Sequence, residues 1–264
     1  MEKRRHKQIQ LAQNFLKNPR LVERLVAAST IDKHDTVYEI GAGKGIITAK
    51  LVRIAARVIA IEKDPVLVRR LRKRFSAHAN VEIMEKDFLT FSITERDFKI
   101  FANIPYNATA NIVRKILYVR PAPSEAYLIL QKEPAQKFSG HPNETQFSIL
   151  AKPFFEFQVL HRFKRTDFDP VPKVDSVLLR IKRRPVPLIQ SEDVAAYRNF
   201  VQFGFGRWKR DLKSAYKAVF SYNRWKRLAR ELDFPLNATP TELRFEQWLG
   251  LYRAYKEKYE SDYP

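Results

Sequence analysis

The stretch VYEIGAGKGIITAKLVRIA, residues 37–55, decides the fold. A short apolar run that ends in Glu39 leads through three closely spaced glycines, Gly41, Gly43 and Gly45, into a helical pattern of apolar residues. A strand, a glycine-rich turn and a helix in this order are typical of a doubly wound α/β sheet, in which such turns lie at the ligand-binding edge. The spacing G-x-G-x-G differs from the G-x-G-x-x-G of dinucleotide sites, so a simple tight turn remains the alternative for this stretch alone.

Short apolar runs before and after this turn predict the rest of the sheet. Five of them alternate with helical patterns: TVYEI (36–40), RVIAIE (57–62), VEIME (81–85), KIFANI (99–104) and AYLIL (126–130). Two further runs, EFQVLHRF (156–163) and SVLLRIK (176–182), have no long helix between them and predict an antiparallel pair at the sheet edge. We therefore expect a Rossmann-like, seven-stranded α/β sheet.

The pattern changes near RRPVPLIQSED, residues 183–193, whose charges and prolines are typical of a domain boundary. Beyond it only helical patterns occur, and Thr239, Pro240 and Glu242 predict a capping box at the start of the last helix. The sequence thus predicts an α/β domain at 1–184, which includes a basic N-terminal arm at 1–12, and a small all-helical domain at 185–264.

The chain is strongly basic and contains no cysteine. Its 264 residues include 49 Lys and Arg against 29 Asp and Glu, a formal charge of +20, which predicts a polyanionic partner: nucleic acid first, an anionic membrane surface second. No apolar run is long enough to span a membrane, and the N-terminal MEKRRHKQIQ lacks the apolar core of a signal peptide. Without Cys, and with five dispersed His residues, the chain shows no zinc pattern. We therefore expect a cytoplasmic protein without a metal site.

Carboxylates end three consecutive predicted strands, at Glu39, Glu62 and Asp87. At the ligand-binding edge, Glu62 is placed to accept hydrogen bonds from ribose hydroxyls, and Asp87 from an adenine amino group. Each acid alone is equally well explained as a helix cap or a solvated loop charge. Because acids would repel a pyrophosphate, the three together favour S-adenosylmethionine, which carries a sulfonium and an ammonium group, over a dinucleotide.

The stretch FANIPY, residues 101–106, ends the fourth strand. Pro105 lacks an N–H and stops the strand, which leaves the amide of Asn103 and the nearby carbonyls at the cleft and Tyr106 on the following loop. Amide and carbonyl oxygens accept the N–H bonds of a planar amine, and a ring offers a stacking surface, so the substrate predicted is an exocyclic amine of a nucleobase. The alternative is an X-Pro turn with a half-buried tyrosine.

With these motifs the chain resembles the rRNA adenine N6-methyltransferases, and more closely their erythromycin-resistance (Erm) branch, which acts on 23S rRNA. The matching stretches cover most of residues 10–185: QNFL (13–16), EIGAGKGIIT (39–48), IEKD (61–64), EKDFL (85–89), NIPY (103–106), LILQKE (128–133) and FDPVPKVDS (168–176). In the family, Tyr106 is usually followed by NIST-like residues; this chain has NATA, which leaves the start of the next helix open.

The resemblance implies a methyltransferase domain at 1–184 and an RNA-binding domain at 185–264. It implies that six residues contact S-adenosylmethionine: Asn14, Leu16, Gly41, Glu62, Asp87 and Asn103. It also implies that Asn103, Ile104, Pro105 and Tyr106 surround the target N6, with Phe168 as the second stacking surface for the base.

The function implied is transfer of one or two methyl groups to N6 of an adenine in 23S rRNA by a monomer, with resistance to macrolide, lincosamide and streptogramin B antibiotics. The related small-subunit (16S) rRNA adenine dimethyltransferases are the nearest alternative, and they typically carry Leu at the position of Ile104. A catalytically silent RNA-binding relative is a second alternative. A DNA adenine methyltransferase is disfavoured, since such enzymes usually have an acid at the first position of this motif.

Two basic segments are predicted to contact RNA phosphates. The residues concerned are Arg4, Arg5 and Lys7 in the N-terminal arm, and Arg207, Lys209, Arg210 and Lys213 in the helical domain. A disordered tail and a solvated helix face are the respective alternatives.

Overall fold

A computed structural model describes residues 14–206 and 211–262, with side chains up to residue 258. The strands are β1 Phe15–Leu16, β2 Thr36–Ile40, β3 Arg57–Glu62, β4 Val81–Glu85, β5 Lys99–Asn103, β6 Glu125–Gln131, β7 Phe155–Arg162, β8 Phe168–Asp169 and β9 Ser176–Arg183. The helices are α1 Pro19–Ala27, α2 Thr48–Leu51, α3 Pro65–Arg74, α4 Thr109–Tyr118, α5 Lys132–Ser139, α6 Gln146–Ala151, α7 Val194–Gly206, α8 Leu212–Ala215, α9 Tyr222–Glu231 and α10 Phe245–Asp262.

Seven strands form one mixed sheet in the order β4-β3-β2-β5-β6-β9-β7, which confirms the predicted α/β fold. The five strands from β2 to β6 run parallel, and β9 pairs antiparallel with β6. β2, β3, β5 and β6 are buried along almost their whole length, as expected for parallel strands covered on both faces. The chain goes from β2 to β3 on one side and later returns to β5 on the other, so a crevice opens at the carboxyl ends of β2 and β5.

α3 illustrates how the sequence specifies a helix beside this sheet. The Asp64 side chain accepts a hydrogen bond of 2.8 Å from the N–H of Val66, and Pro65 occupies the first helical position. The predicted apolar face is buried: Leu67 and Leu71 within the helix, and Phe75 at its end. The basic residues between them lie on the solvent side.

The described chain divides into two compact units. One contains residues 14–135 and 156–183; the other contains 136–155 together with the described residues from 184 onwards. This differs from the division at 184 expected from the sequence, because Ile149 belongs to the helical core and its carbonyl accepts a hydrogen bond of 2.9 Å from Tyr197 Oη. The functional roles assigned to the two parts stay predictions.

The helical unit is built on buried aromatic side chains whose polar atoms are satisfied. Trp225 and Trp248 are almost fully buried, and their ring N–H groups donate to the carbonyls of Leu236 and Pro240, each at 3.0 Å.

None of the described helices combines the length and the apolarity needed to cross a bilayer.

The last helix begins later than the sequence predicts. Glu242 does accept hydrogen bonds from the backbone N–H (2.7 Å) and hydroxyl (3.0 Å) of Thr239, but this contact closes a turn. α10 itself begins at Phe245, after a second local bond in which Gln247 Oε1 accepts from the N–H of Arg244 at 2.7 Å. Two cap-like motifs follow one another, and the second one starts the helix.

Candidate active site

A cavity opens in the crevice at the carboxyl ends of β2, β3 and β5. It opens to solvent and is lined by apolar side chains together with polar and charged groups, as is usual for a small-molecule site. Nine of the residues predicted to form the site line this cavity: Asn14, Leu16, Gly41, Glu62, Asp87, Asn103, Ile104, Pro105 and Tyr106. The structure thus brings together stretches that are up to 92 residues apart in the sequence, from Asn14 to Tyr106.

The three glycines of the loop have different surroundings, although all adopt positive φ angles of 59° to 75°. A Cβ on Gly41 would meet nothing nearer than the Asn103 carbonyl at 3.9 Å, so this position is open to the cavity. A Cβ on Gly45 would lie 2.8 Å from the side chains of both Leu71 and Phe75. Gly45 therefore serves the packing of the loop on α3 and not the approach of a ligand.

Glu62 joins the glycine loop to the end of β3. It is buried, and its Oε2 accepts a hydrogen bond of 2.9 Å from the N–H of Gly43. Its Oε1 accepts from the N–H groups of Lys63 and Asp64, both at 2.9 Å. Three backbone donors thus fix the carboxylate at the cavity wall, where its remaining lone pairs can accept from a ligand.

Asp87 lies on the next loop and is exposed. Its Oδ1 accepts a hydrogen bond of 2.9 Å from the N–H of Leu89, and its carbonyl accepts from the N–H groups of Thr90 and Phe91. These bonds start a single turn that holds Asp87, Phe88 and Leu89 in the cavity wall.

Glu39 is a third carboxyl group of the cavity. The sequence predicts a specific ligand contact for Glu62 and for Asp87 but not for Glu39. It is 1% exposed, and burial is the main reason why its pKa rises to about 8. The N–H of Thr48 donates to its Oε1 at 3.2 Å, whereas Glu39 Oε2 and Thr48 Oγ1 have no hydrogen-bond partner within the described chain. Burial therefore favours the protonated form of this carboxyl group at the edge of the sheet.

The NIPY residues, 103–106, also line the cavity. Asn103 Nδ2 donates to the carbonyl of Asn14 at 2.7 Å, and the carbonyl of Pro105 accepts from the N–H of Ala108 at 3.0 Å. Tyr106 is half-buried, shares a hydrogen bond of 2.8 Å with Ser176 Oγ, and has its pKa raised by burial. After the NATA departure, a 3₁₀ turn at Tyr106–Ala108 precedes α4, which begins at Thr109.

Phe168 does not line the cavity. β8 pairs antiparallel with β1, with Leu16 opposite Phe168. Side chains alternate along a strand, and here Asp169 faces solvent while the Phe168 ring is 1% exposed and packs 5.2 Å from Phe163. The position of this ring therefore does not support the stacking role that the resemblance implied.

The cavity is lined by lysines as well as by the carboxylates from which we predicted an acidic site. Lys44, Lys63 and Lys86 also line it, and Lys44 Nζ lies 4.6 Å from the centre of the Phe15 ring. The overall charge therefore does not discriminate between nucleoside ligands. The fixed carboxylate of Glu62, the exposed carboxylate of Asp87 and the open backbone at Gly41 offer acceptors and space to the hydroxyl and amino groups of an adenosine-containing ligand.

Six of the predicted RNA contacts, Arg4, Arg5, Lys7, Arg207, Lys209 and Arg210, lie outside the described residues. Lys213 lies in α8 and donates a hydrogen bond of 2.7 Å to Asn237 Oδ1.

The sequence matches one family over almost its entire length. The family model described as Ribosomal RNA adenine dimethylase covers residues 4–257. An rRNA adenine N-6-methyltransferase of Bacteroides fragilis is 31% identical over 241 residues, which cover 91% of this chain and 90% of the relative. A Ribosomal RNA small subunit methyltransferase A of Thermotoga maritima is also 31% identical, over 253 residues that cover 95% of this chain and 86% of the relative.

Two solved structures share the fold across both units. The 23S rRNA methyltransferase ErmE matches with a TM-score of 0.86 and 29% identity, covering 92% of this chain and 100% of that one. A dimethyladenosine transferase from Plasmodium falciparum matches with a TM-score of 0.72 and 25% identity, covering 92% and 98%. The chain therefore belongs to the ribosomal RNA adenine dimethylase family and is an S-adenosylmethionine-dependent rRNA adenine N6-methyltransferase.

Proposed function

We propose that the target is an adenine of 23S rRNA and that its methylation confers resistance to macrolide, lincosamide and streptogramin B antibiotics. The observation that carries this proposal is the higher structural similarity to the 23S enzyme ErmE than to the dimethyladenosine transferase. Ile104, in place of the Leu typical of small-subunit enzymes, agrees with it. Sequence identity does not help, since relatives with either name are equally similar.

We propose that the cavity binds the cofactor through the residues inferred from the sequence. Glu62 and Asp87 hold the adenosine half, while Asn14, Leu16, Gly41 and Asn103 contact the remainder. Glu39 adds a buried carboxyl group at the same edge. S-adenosylmethionine, when bound, supplies an electrophilic methyl group.

The NIPY wall is proposed to hold the target base. Asn103 Oδ1 and the carbonyl of Ile104 accept the N–H bonds of N6, which turns its lone pair toward the cofactor and stabilises the positive charge that develops there. No strong base is needed, because the proton can leave to water after transfer. Tyr106 offers its ring for stacking, and the adenine must leave its own stack to reach it, which favours a loop or bulge of folded rRNA.

The basic residues are proposed to bind the rRNA backbone. The chain carries a formal charge of +20, and Lys213 and the neighbouring residues 207–210 concentrate positive charge in the helical part of the sequence. We further propose that the enzyme acts as a monomer.

A methylation assay with two substrates tests the proposed target. Purified protein and labelled S-adenosylmethionine are incubated separately with protein-free 23S rRNA and with small-subunit particles, and the modified base is identified by nuclease digestion and mass spectrometry. We expect N6-methyladenine in 23S rRNA, in the region that binds macrolides, and macrolide resistance in a susceptible bacterium that expresses the gene.

The second candidate is a small-subunit rRNA adenine dimethyltransferase, which the Thermotoga maritima relative favours. Methylation confined to small-subunit particles would make this alternative correct. A protein that binds rRNA but methylates neither substrate would be a catalytically silent relative.

A further inference from the structure

One wall of the cavity is the Asp87 loop, residues 86–91, whose first four residues line the cavity. The loop closes in a single turn, in which the carbonyl of Asp87 accepts from the N–H groups of Thr90 and Phe91 at 3.1 and 3.0 Å. The Phe88 carbonyl accepts from the N–H of Phe91 at 3.2 Å, whereas the carbonyls of Leu89 and Phe91 accept from no N–H of the loop and depend on donors from elsewhere.

Lys115 of α4 supplies these donors. Its Nζ donates to the carbonyls of Phe88, Leu89 and Phe91 at distances of 2.5–3.0 Å. An ammonium group has three N–H bonds, and here all three end on consecutive or nearly consecutive carbonyls of one loop. The same Nζ lies 4.9 Å from the centre of the Phe88 ring, a cation–π contact with a residue of the cavity wall.

The position of Lys115 links the two halves of the site. α4 begins three residues after Tyr106, so the helix that follows the NIPY wall also holds the Asp87 wall. Lys115 does not itself line the cavity. Burial lowers the pKa of Lys115, while the Asp87 carboxylate raises it. A half-buried cation engaged by three carbonyls fixes the loop more strictly than an apolar contact, because its hydrogen bonds are directional.

We propose that Lys115 is a positioning residue for the cofactor: it holds the Asp87 loop in the conformation that binds adenosine and couples this loop to the NIPY helix. The inference rests on the proposed cofactor contact of Asp87, and it is independent of which rRNA is methylated.

The test compares two lysines of the same unit. Lys115→Met removes the three donors and keeps the length of the side chain, whereas Lys115→Arg keeps a charged donor. The matched control is Lys99→Met at the opposite end of β5, where Lys99 Nζ donates to the Thr30 carbonyl at 2.6 Å and to Asp35 at 2.7 Å. For each variant, binding of S-adenosylhomocysteine is measured by calorimetry, the KM values for cofactor and for rRNA are measured separately, and thermal unfolding is recorded.

We expect Lys115→Met to weaken cofactor binding and to raise the cofactor KM by about tenfold, the loss that follows from charge-assisted hydrogen bonds. The KM for rRNA should change little, and amide hydrogen exchange in residues 86–91 should become faster. Lys115→Arg should recover most of the affinity. Lys99→Met should lower the melting temperature and leave cofactor affinity unchanged.

Three outcomes would overturn the inference or its basis. If Lys115→Met lowers the melting temperature while cofactor affinity is unchanged, the lysine serves stability alone. If Lys115→Met does not fold, Lys115→Gln takes its place: its shorter, uncharged side chain has two N–H donors instead of three, so cofactor affinity should still fall, and wild-type affinity in that variant rejects the proposal. If Asp87→Ala leaves cofactor affinity unchanged, the site assignment fails, and the Lys115 inference fails with it.

Discussion

Glu62 ends β3 and Asp87 lies in the loop after β4, and their surroundings predict different consequences of substitution. Asp87 is exposed, so Asp87→Ala should weaken S-adenosylmethionine binding with little loss of stability. Glu62→Ala should weaken binding too, but it also leaves three backbone N–H groups, two of them buried, without an acceptor and should destabilise the fold by about 1–3 kcal/mol. Calorimetry measures the first effect and urea unfolding the second. Unchanged affinity in both variants would remove the cofactor site from this cavity.

The raised pKa of Glu39 predicts that the stability of the folded protein depends on pH. Between the ordinary carboxyl pKa of 4.5 and its value of about 8, the folded protein binds more protons at this residue than the unfolded chain does. The free energy of unfolding therefore falls as the pH rises through this window, and stability from the neutral carboxyl group is fully present only below it. Glu39→Gln removes the titration.

Urea unfolding of the wild type and of Glu39→Gln at several pH values checks this prediction. We expect the difference in free energy of unfolding to shift in favour of the variant as the pH rises from about 5 to about 8. Parallel pH profiles for the two proteins would show that folding does not raise the pKa of Glu39.

Two substitutions of Tyr106 distinguish the role of its ring from the role of its hydroxyl group. Tyr106→Phe keeps the stacking surface and loses only the hydrogen bond to Ser176, so most activity should remain. Tyr106→Ala loses a stacking contact of about 1–3 kcal/mol, and its methylation rate should fall about ten- to a hundredfold. Tyr118→Ala, an exposed tyrosine at the end of the same α4, is the control and should behave like the wild type. Equal activity of Tyr106→Ala and the wild type would exclude the stacking role.

At the scale of elements, the glycine loop and α3 form one packing unit. Gly45→Ala would place a Cβ 2.8 Å from Leu71 and Phe75 and also force alanine into positive φ, whereas Gly41→Ala has only the second problem. Gly45→Ala should therefore cost about 1–3 kcal/mol more stability than Gly41→Ala. Urea unfolding compares the two, and Gly41→Ala should show the larger loss of cofactor affinity relative to its loss of stability. Equal stability of the two variants would contradict the packing role of Gly45.

Elements with a strong periodic pattern could be predicted from the sequence, and those that depend on distant partners could not. The strands β2, β3, β5 and β6 appear as apolar runs because both of their faces are buried. β1 and β8 are two residues long and show no period, so their pairing, and with it the burial of Phe168, was not predictable. The start of α10 was placed too early, because Thr239 and Glu242 form a real cap that closes only a turn.

The same distinction holds for the site. Carboxylates at strand ends and the NIPY turn could be located, because the carboxyl edge of a parallel sheet gathers them irrespective of side-chain detail. Lys115 could not be found, since its three acceptors are backbone carbonyls 24 to 27 residues away and leave no mark on the sequence.

For the whole molecule, the net charge predicts how rRNA binding depends on salt. Replacing Arg207, Lys209 and Arg210 together by Ala should reduce the slope of log affinity against log salt concentration by about 2, since each lost phosphate contact contributes about 0.7–0.9. The control removes the same charge from the exposed face of α3, at Arg69, Arg70 and Lys73. Filter binding of an rRNA fragment over a range of salt concentrations gives both slopes. If the two triple variants have the same slope, the helical segment is an ordinary solvated surface.

Because β1 pairs with β8, we expect that the cavity forms only late in the synthesis of the chain. Ribosomes synthesise the chain from its N-terminus, so Asn14, Phe15 and Leu16 emerge long before their partners at Phe168 and Asp169. Until the later pair has left the exit tunnel, the segment that carries Asn14 and Leu16 has no strand to hold it, and the cavity lacks that wall. We therefore expect nascent chains that end before β8 to bind no cofactor. An enzyme whose substrate is the RNA of ribosomes would thus become competent only late in its own translation.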